Sequence, residues 1–301
     1  MLTHANLDAA ETFIWNTARV IDRRRFEYLF KNGEAEPVVD ALRAYRNTDG
    51  GFGHALEPDD RGSESQPLPA LTALHLLDEA GHFDDPMVAA LLDWFVANST
   101  PDGALPSGIP TARDYPHAPW WNIPEGEPAG SLLMTANIVG VLLKHDVQHP
   151  WVERASAFCW QAIHAIETSH PYEVEGMLAF LDHTPERAEA EREAARLGEI
   201  VDAQQLVVRD PETASPDASV GYGPGEIHTP LNYATRPTSL ARRWFSDAEI
   251  DHNLDLRERE QQEDGGWMFN WGQWNAASTL AWRGALTVDT LALLRAYGRM
   301  E

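Results

Sequence analysis

The sequence contains very few cysteines and lysines. Its 301 residues include one cysteine, Cys159, and two lysines, Lys31 and Lys144. A single cysteine excludes an intramolecular disulfide and a cysteine-rich zinc site, so we expect Cys159 to be a small buried apolar residue. With so few lysines, a site that binds an anion would have to be built from arginine.

The chain also lacks a long hydrophobic run and an excess of positive charge. The longest apolar stretch, 132–143, includes Thr135 and Asn137 and is too short to span a bilayer. The first residues form neither a basic region nor an apolar run, so we expect no signal peptide and a cytoplasmic location. Lys and Arg number 23 against 47 Asp and Glu, and the net charge of −24 argues against nucleic acid and anionic membranes as partners.

A short polar segment recurs between stretches with helical patterns. It reads Asp-Gly-Gly at 49–51 and 264–266, and Asp-Gly-Ala at 102–104. Glycine reaches backbone angles that other residues avoid and aspartate can bond its own turn, so each segment predicts a tight join between two helices. The first two aspartates are 53 residues apart and the next gap is 162, three times 54. A period of this size indicates helical pairs stacked side by side.

The predicted helices differ in how much apolar surface they carry. Helices 67–80 and 131–144 are apolar on most faces, whereas 185–208 is charged around most of its first half. Helices of the first kind are buried on both sides and helices of the second kind face water, as the inner and outer rings of a barrel do. Further helices are predicted over 7–30, 35–46, 86–98, 150–168, 171–182, 246–262 and 279–297. We therefore expect one all-α domain over 1–301, an α/α toroid of five to six helical pairs in which the last helix packs on the first.

The joins also resemble a known motif. Gln261 precedes Asp264-Gly-Gly-Trp267, and this pattern is similar to the QW motifs of the terpenoid cyclase and protein prenyltransferase superfamily, whose domains are α/α toroids. The resemblance implies an isoprenoid-handling enzyme, in particular a class II-type terpene cyclase that acts on a linear prenyl substrate. In that family the middle aspartate of Asp-x-Asp-Asp protonates an alkene, and Glu57-Pro58-Asp59-Asp60 places Asp59 at the corresponding position.

Three long loops, 49–66, 100–129 and 209–238, are expected to meet over the mouth of a central cavity. The candidate catalytic residues are His54, Glu57, Asp59, Asp60 and, from helix 171–182, Glu175. Neighbouring carboxylates hold one proton more tightly, as an acid that protonates an alkene requires. Aromatic faces can stabilise a cationic intermediate or stack on a sugar. The candidate substrate-binding residues are His117, Trp120, Trp121, His228, Trp267 and Trp271.

Simpler interpretations of the same residues remain open. The tryptophans could pack the joins, the acidic cluster could be a solvated loop, and each histidine could be a hydrogen-bond anchor. A second hypothesis is a carbohydrate-active hydrolase or lyase, because two carboxylates across a cavity, with Glu175 as one of them, would suit glycoside hydrolysis. A third is a non-catalytic toroid that binds a peptide or a small hydrophobic ligand. No cofactor is assigned, although Asp59, Asp60 and Glu64 could hold Mg²⁺ with a diphosphate, and Cys159 has no partner motif for zinc.

Overall fold

The computed structural model describes residues 1–121, 123, 125–215, 219–223 and 225–300. Within these residues the chain is helical, with three isolated β-bridges and no strand. The chain packs as two compact units, Ala35–Ala194 and Met1–Glu34 with Ala195–Glu301. We call them the central unit and the terminal unit. The all-α prediction is confirmed, while a single domain over all 301 residues stays a prediction.

Twelve α-helices are described, and two short 3₁₀ segments, Pro110–Asp114 and Leu240–Trp244, lie between them. In chain order the helices are α1 (His4–Thr17), α2 (Val20–Phe30), α3 (Glu36–Arg43), α4 (Pro67–Ala80), α5 (Pro86–Asn98), α6 (Leu132–Lys144), α7 (Pro150–Ala165), α8 (Pro171–His183), α9 (Arg187–Ala203), α10 (Pro230–Tyr233), α11 (Asp247–Arg259) and α12 (Ala276–Ala296). None of these helices is long and apolar enough to cross a membrane.

Several helices begin and end at the residues that the sequence predicts. The Asp85 side chain accepts a hydrogen bond from the Met87 N–H and Pro86 occupies the first turn of α5. Ser246 and Glu249 cap α11 reciprocally, each side chain bonding the backbone N–H of the other. At the end of α4, Gly81 takes the left-handed conformation that glycine adopts most easily.

In the central unit, α6 is the most enclosed helix and packs against α4, α7 and α8. Leu132, Met134, Ala136 and Ile138 are all buried within its first two turns. Gly140 permits this packing, because a Cβ at this position would lie 2.3 Å from the Ala179 carbonyl oxygen of α8. The prediction that 67–80 and 131–144 are the buried helices is therefore confirmed.

In the terminal unit, α12 packs against α1, α2 and α11, so the predicted pairing of the last helix with the first is confirmed. The prediction of one helix over 7–30 is wrong. Ala18 and Arg19 are extended and separate α1 from α2. At this break Ala18 approaches α12 closely, because a Cβ on Gly284 would lie 2.9 Å from the Ala18 Cβ. A contact with a distant helix thus interrupts a segment whose local pattern is helical.

The three joins adopt the same turn, and we call them the first (Asn47–Gly51), second (Thr100–Ala104) and third (Gln262–Gly266) joins. In each, the opening N–H donates to the last carbonyl, at 2.9, 2.8 and 2.8 Å respectively. The N–H of the fourth residue donates back to the opening carbonyl, at 3.2, 2.9 and 2.9 Å. That fourth residue is always a glycine at φ near +90°, namely Gly50, Gly103 and Gly265. The internal repeat is therefore real in backbone geometry as well as in sequence.

Each of these glycines also touches the backbone of another helix. A Cβ would lie 2.8 Å from the Ala90 oxygen at Gly50, 3.0 Å from the Ala155 nitrogen at Gly103 and 2.1 Å from the Ala9 oxygen at Gly265. The joins thus need glycine for two reasons, the positive φ and the close approach of a neighbouring helix.

Candidate functional site

The acidic loop, residues 53–66 of the central unit, carries most of the predicted catalytic residues. Glu57, Asp59 and Asp60 are all buried, with 4%, 3% and 1% of their surface exposed. Aspartate and glutamate side chains are almost never buried to this extent unless they are paired with other groups. The interpretation of this cluster as a solvated loop is therefore wrong.

A second segment covers the acidic loop, and we call residues 109–121 the strap. Asp60 and His117 form an isolated antiparallel bridge. On either side of it, the Arg61 N–H donates to the Pro116 carbonyl at 3.1 Å and the Ala118 N–H donates to the Asp59 carbonyl at 2.9 Å. The structure thus brings His117 against Asp59 and Asp60, as the loop arrangement predicts.

Gln66 fixes the other end of the strap. Its side-chain oxygen accepts the Ile109 N–H at 2.7 Å and its side-chain nitrogen donates to the Thr111 hydroxyl at 2.9 Å. Gln66 is 1% exposed and stands directly before α4, so the strap is attached to one of the buried helices. Gln66 was not a candidate from the sequence, since an isolated glutamine gives no signal of its distant partners.

Asp60 has the most unusual surroundings of the three carboxylates. Its Oδ1 accepts the Gly62 N–H at 3.0 Å, while its buried Oδ2 has no hydrogen-bond partner among the described residues. Burial raises the pKa of the Asp60 carboxyl, and the Gly62 bond and the charges of His117 and Arg61 offset this only in part. This environment therefore disfavours the charged form of Asp60 relative to an exposed aspartate.

His54 anchors the start of the acidic loop to the first join. Its Nε2 lies 2.9 Å from the Asn47 Oδ1, and its backbone N–H donates to the Gly62 carbonyl at 2.8 Å. It adopts a positive φ of 57°, which is uncommon for a residue other than glycine. These contacts favour the anchoring interpretation of His54 over that of a general base.

The strap residues His117, Trp120 and Trp121 are each half-buried. The Nδ1 of His117 lies 2.8 Å from the Tyr115 carbonyl oxygen, which is the arrangement of a donor bond to that oxygen. The Tyr115 hydroxyl accepts from Ser63 at 3.0 Å and so joins the strap to the acidic loop a third time. Binding of substrate by these three residues stays a prediction.

Glu175 lies in the second turn of α8 and is half-buried. The neighbouring Gly176 faces α6, where a Cβ would lie 2.8 Å from the Leu133 carbonyl oxygen. That Glu175 faces the acidic loop stays a prediction.

The other three candidates belong to the terminal unit, and Trp267 does not have the surroundings of a substrate-binding residue. It is fully buried, its backbone N–H donates to the Thr287 hydroxyl at 3.1 Å and its indole N–H donates to the Arg257 carbonyl at 2.8 Å. Arg257 is on α11 and Thr287 on α12, so Trp267 packs the third join between these helices. We therefore favour the packing interpretation of Trp267.

Trp271 is half-buried and belongs to an aromatic cluster. Its ring stacks on Phe269 with centroids 4.5 Å apart and meets Trp282 edge to face at 5.1 Å. Such pairs contribute about 0.5–1.5 kcal/mol each beyond their buried area. Trp282 was not a candidate from the sequence, although it lies in the second turn of α12 and so within a predicted helix.

His228 is buried beside Glu226, a carboxylate that was not among the candidates from the sequence. Its Nε2 lies 3.7 Å from the Glu226 Oε1, and both residues are 2% exposed. The Glu226 Oε2 accepts the backbone N–H groups of Tyr222 and Gly223 at 2.9 and 3.0 Å. The glycines of this loop could have indicated the position of Glu226 from the sequence, because they let the backbone wrap around the carboxylate.

The three carboxylates considered for Mg²⁺ do not form a close donor group. Among the described residues, Asp59, Asp60 and Glu64 are not a set whose donor atoms all lie within 4.8 Å of one another. Binding of Mg²⁺ together with a diphosphate stays a hypothesis. Glu64 is exposed, whereas Asp59 and Asp60 point into the covered part of the loop. Cys159 is buried in α7 and burial raises the pKa of its thiol, as expected of a structural cysteine.

Comparison with known proteins shows similarity in structure alone. No family model and no curated protein matches the sequence. Among solved structures, a protein from Actinoplanes superposes with a TM-score of 0.56 at 16% identity, over 97% of this chain and 89% of that one. The type II terpene cyclase MstE from Scytonema superposes with a TM-score of 0.53 at 11% identity, over 98% of this chain and 88% of that one.

A variant of the same cyclase in complex with its substrate, geranylgeranyl dihydroxybenzoate, superposes with a TM-score of 0.50 at 12% identity, over 94% and 86% of the two chains. At these identities the likeness shows the fold, and it confirms the all-helical, toroid-type fold class.

Proposed function

We propose that the protein is an isoprenoid-handling enzyme of the class II terpene cyclase type, in which Asp60 is the proton donor. The observation that carries the proposal is the Asp60 carboxyl, which is 1% exposed, has a raised pKa and keeps Oδ2 without a hydrogen-bond partner in the described structure. An acid that protonates an alkene must be neutral at the working pH, and burial is what keeps a carboxyl neutral there. The solved cyclases of similar fold, one of them with a prenylated substrate, support the substrate class.

The proton transfer follows from this geometry. Because Oδ1 accepts the Gly62 N–H, the proton of a neutral Asp60 is best placed on Oδ2. Transfer to an alkene carbon forms a C–H bond and a carbocation, and the electrons of the O–H bond remain on Asp60 as a carboxylate. The Gly62 N–H and the charges of Arg61 and His117 stabilise that carboxylate. The cation is quenched by ring closure and loss of a proton to a base.

Asp60 is too deeply buried for a substrate to reach it in the described conformation. The strap covers it through the bridge at His117. We therefore propose that substrate enters when the strap moves, as lids do in many enzymes. The sequence motif points to Asp59 as the donor, whereas the burial and the unsatisfied oxygen favour Asp60.

The experiment compares single variants in one assay. Farnesyl diphosphate, geranylgeranyl diphosphate, geranylgeranyl dihydroxybenzoate and a set of oligosaccharides are incubated with wild type and with Asp60→Asn, Asp59→Asn and Glu57→Gln, with and without Mg²⁺. Loss of the acid should lower turnover by about 10² or more in Asp60→Asn. Asp114→Asn, the same change at an exposed carboxylate of the strap, is the matched control and should keep wild-type activity.

The other outcomes identify the alternatives. Full activity in Asp60→Asn with an inactive Asp59→Asn would assign the donor to Asp59. Products from oligosaccharides alone would favour a carbohydrate-active enzyme with Glu175 as the next residue to replace. Binding of a prenyl compound without turnover would favour a ligand-binding protein.

A further inference from the structure

Three side chains with metal-binding groups converge in the terminal unit, away from the acidic loop in sequence. Asp210 and Glu212 follow α9, and His252 lies on α11. The His252 Nε2 is 3.1 Å from the Asp210 Oδ1 and 3.8 Å from the Glu212 Oε2. One donor atom from each residue lies within 4.8 Å of the other two. No part of the proposed prenyl chemistry uses these residues.

The donor spacing suits a single small ion. Metal bonds to imidazole nitrogen and carboxylate oxygen are about 2.0–2.2 Å long, so tetrahedral donors lie roughly 3.3–3.6 Å apart. The distances from the His252 Nε2, 3.1 and 3.8 Å, lie close to this range. The two carboxylate donors lie within 4.8 Å of one another.

The protein already holds the donors in place through other contacts. The Asn253 side chain donates to the Arg209 carbonyl at 2.8 Å and so fixes the segment before Asp210 onto α11. Arg209 itself bonds Asp202 and Glu249 at 2.6 and 2.7 Å. A metal site gains affinity when its ligands are ordered by such outer contacts.

The contacts of the two carboxylates leave the required atoms facing one another. Arg259 bonds the Oε1 of Glu212 at 3.2 Å, which turns the Oε2 toward His252. Asp210 Oδ1 accepts the Glu212 N–H at 3.0 Å, which sets the spacing between the two acids. Two carboxylates and one imidazole make a net dianionic donor set when the histidine is neutral, which matches a divalent cation.

We propose that Asp210, Glu212 and His252 form a binding site for a divalent transition-metal ion of the Zn²⁺ class. Imidazole favours Zn²⁺, Co²⁺ and Ni²⁺ over Mg²⁺ and Ca²⁺, which prefer oxygen donors throughout. The side chains are 36–51% exposed, so water can complete the coordination sphere. A site with three protein ligands and open positions can bind a further ligand on the metal.

The test is a titration of the chelator-treated protein with Zn²⁺ and with Co²⁺. Binding of both ions is measured by calorimetry, and binding of Co²⁺ also by its visible absorption. The expected result is one ion per chain and a Co²⁺ spectrum of low coordination number. Since loss of even an outer-shell partner costs about 10–100-fold in affinity, His252→Ala and Asp210→Asn should weaken binding by about tenfold or more. Mg²⁺ should not displace the bound ion.

His164→Ala is the matched control. His164 makes the same kind of exposed contact with a carboxylate, its Nε2 lying 3.0 Å from the Glu189 Oε1, but no third donor among the described residues converges there. This variant should bind Zn²⁺ like wild type. Binding that His252→Ala and Asp210→Asn leave unchanged, or no saturable binding below millimolar Zn²⁺, would show that the three residues form an ordinary ion pair only. Circular dichroism of each variant confirms that it is folded.

Discussion

Asp60 and His117 pair through their backbones in an isolated antiparallel bridge, and this contact closes the strap over the acidic loop. The pairing places the Asp60 Oδ2, a buried carboxyl oxygen without a hydrogen-bond partner among the described residues, beneath the strap. It also puts an imidazole close enough to affect the pKa of the Asp60 carboxyl. The carboxyl is therefore both shielded from water and next to an imidazole whose charge lowers its pKa.

The raised pKa of Asp60 predicts how its replacement changes stability with pH. A carboxyl whose pKa is raised by folding stabilises the fold when protonated, and this contribution is lost as the pH rises through its folded-state pKa. Asp60→Asn removes the cost of ionisation and keeps an oxygen for the Gly62 N–H. We expect the variant to melt above wild type at pH 8, with the difference shrinking at pH 4. A difference that is the same at both pH values would contradict the raised pKa.

Asp264 should behave in the opposite way. Its two oxygens accept hydrogen bonds from Arg283 at 2.7 and 2.8 Å, and these bonds lower the pKa of the Asp264 carboxyl. Stability from a lowered pKa is present above the unfolded-state value and is lost as the pH falls through the folded-state value. Asp264→Asn should therefore melt below wild type at pH 7 and approach it near pH 3. An Asp264→Asn variant as stable as wild type at pH 7 would show that solvent screening cancels the pair.

Two glycine substitutions can separate the cost of close packing from the cost of a left-handed backbone conformation. Gly265→Ala places a Cβ 2.1 Å from the Ala9 oxygen at a φ of +91°, whereas Gly81→Ala, at a φ of +69°, meets nothing within 4 Å. The left-handed conformation alone costs an ordinary residue about 1–2 kcal/mol, and overpacking adds about 1–3 kcal/mol. Chemical denaturation should give a larger loss for Gly265→Ala. Equal losses would mean that the helix yields to the new methyl group.

Gly51→Val and Gly266→Val should each destabilise the fold by several kcal/mol. The turn sequence suggests strained backbone angles as the reason, whereas the structure indicates close packing. Their φ values are not positive; the positive values belong to Gly50 and Gly265. Instead, a Cβ would lie 2.6 Å from Ser65 atoms at Gly51 and 2.7 Å from the Phe13 ring at Gly266. A thermal melt within about a degree of wild type for both variants would show that these neighbours move aside easily.

The sequence predicts local and periodic features well, because they depend on few residues. The joins follow from the turn chemistry of Asp and Gly, and the buried helices α4 and α6 follow from their apolar faces. The break at Ala18 was missed because it depends on Gly284, more than 260 residues away. Long-range contacts of this kind leave no local pattern.

The contact between the acidic loop and His117 was predicted from the sequence, whereas the individual hydrogen bonds were not. The acidic loop and His117 were identified by their residue types, and the structure brings them together. The choice between Asp59 and Asp60 as proton donor could not be predicted, because it depends on single contacts such as the Gly62 N–H that Asp60 accepts. The role of Trp267 was ambiguous because a tryptophan that packs a join and one that binds a ligand look alike in sequence.

Gln66 should control the order of the strap. Its buried amide is the contact that holds Ile109 and Thr111, and removing one partner of a buried hydrogen bond costs about 1–3 kcal/mol. Gln66→Ala should therefore speed the exchange of backbone hydrogens in residues 109–121, measured by mass spectrometry, while peptides from α12 keep their protection.

Gln262→Ala is the matched control, because the Gln262 side chain is exposed and its bond to the Glu260 carbonyl, at 2.7 Å, holds no covering segment. Since the strap covers Asp60, Gln66→Ala should also make exchange of the Gly62 N–H faster. Unchanged protection of the strap in this variant would show that the bridge at His117 alone holds it closed.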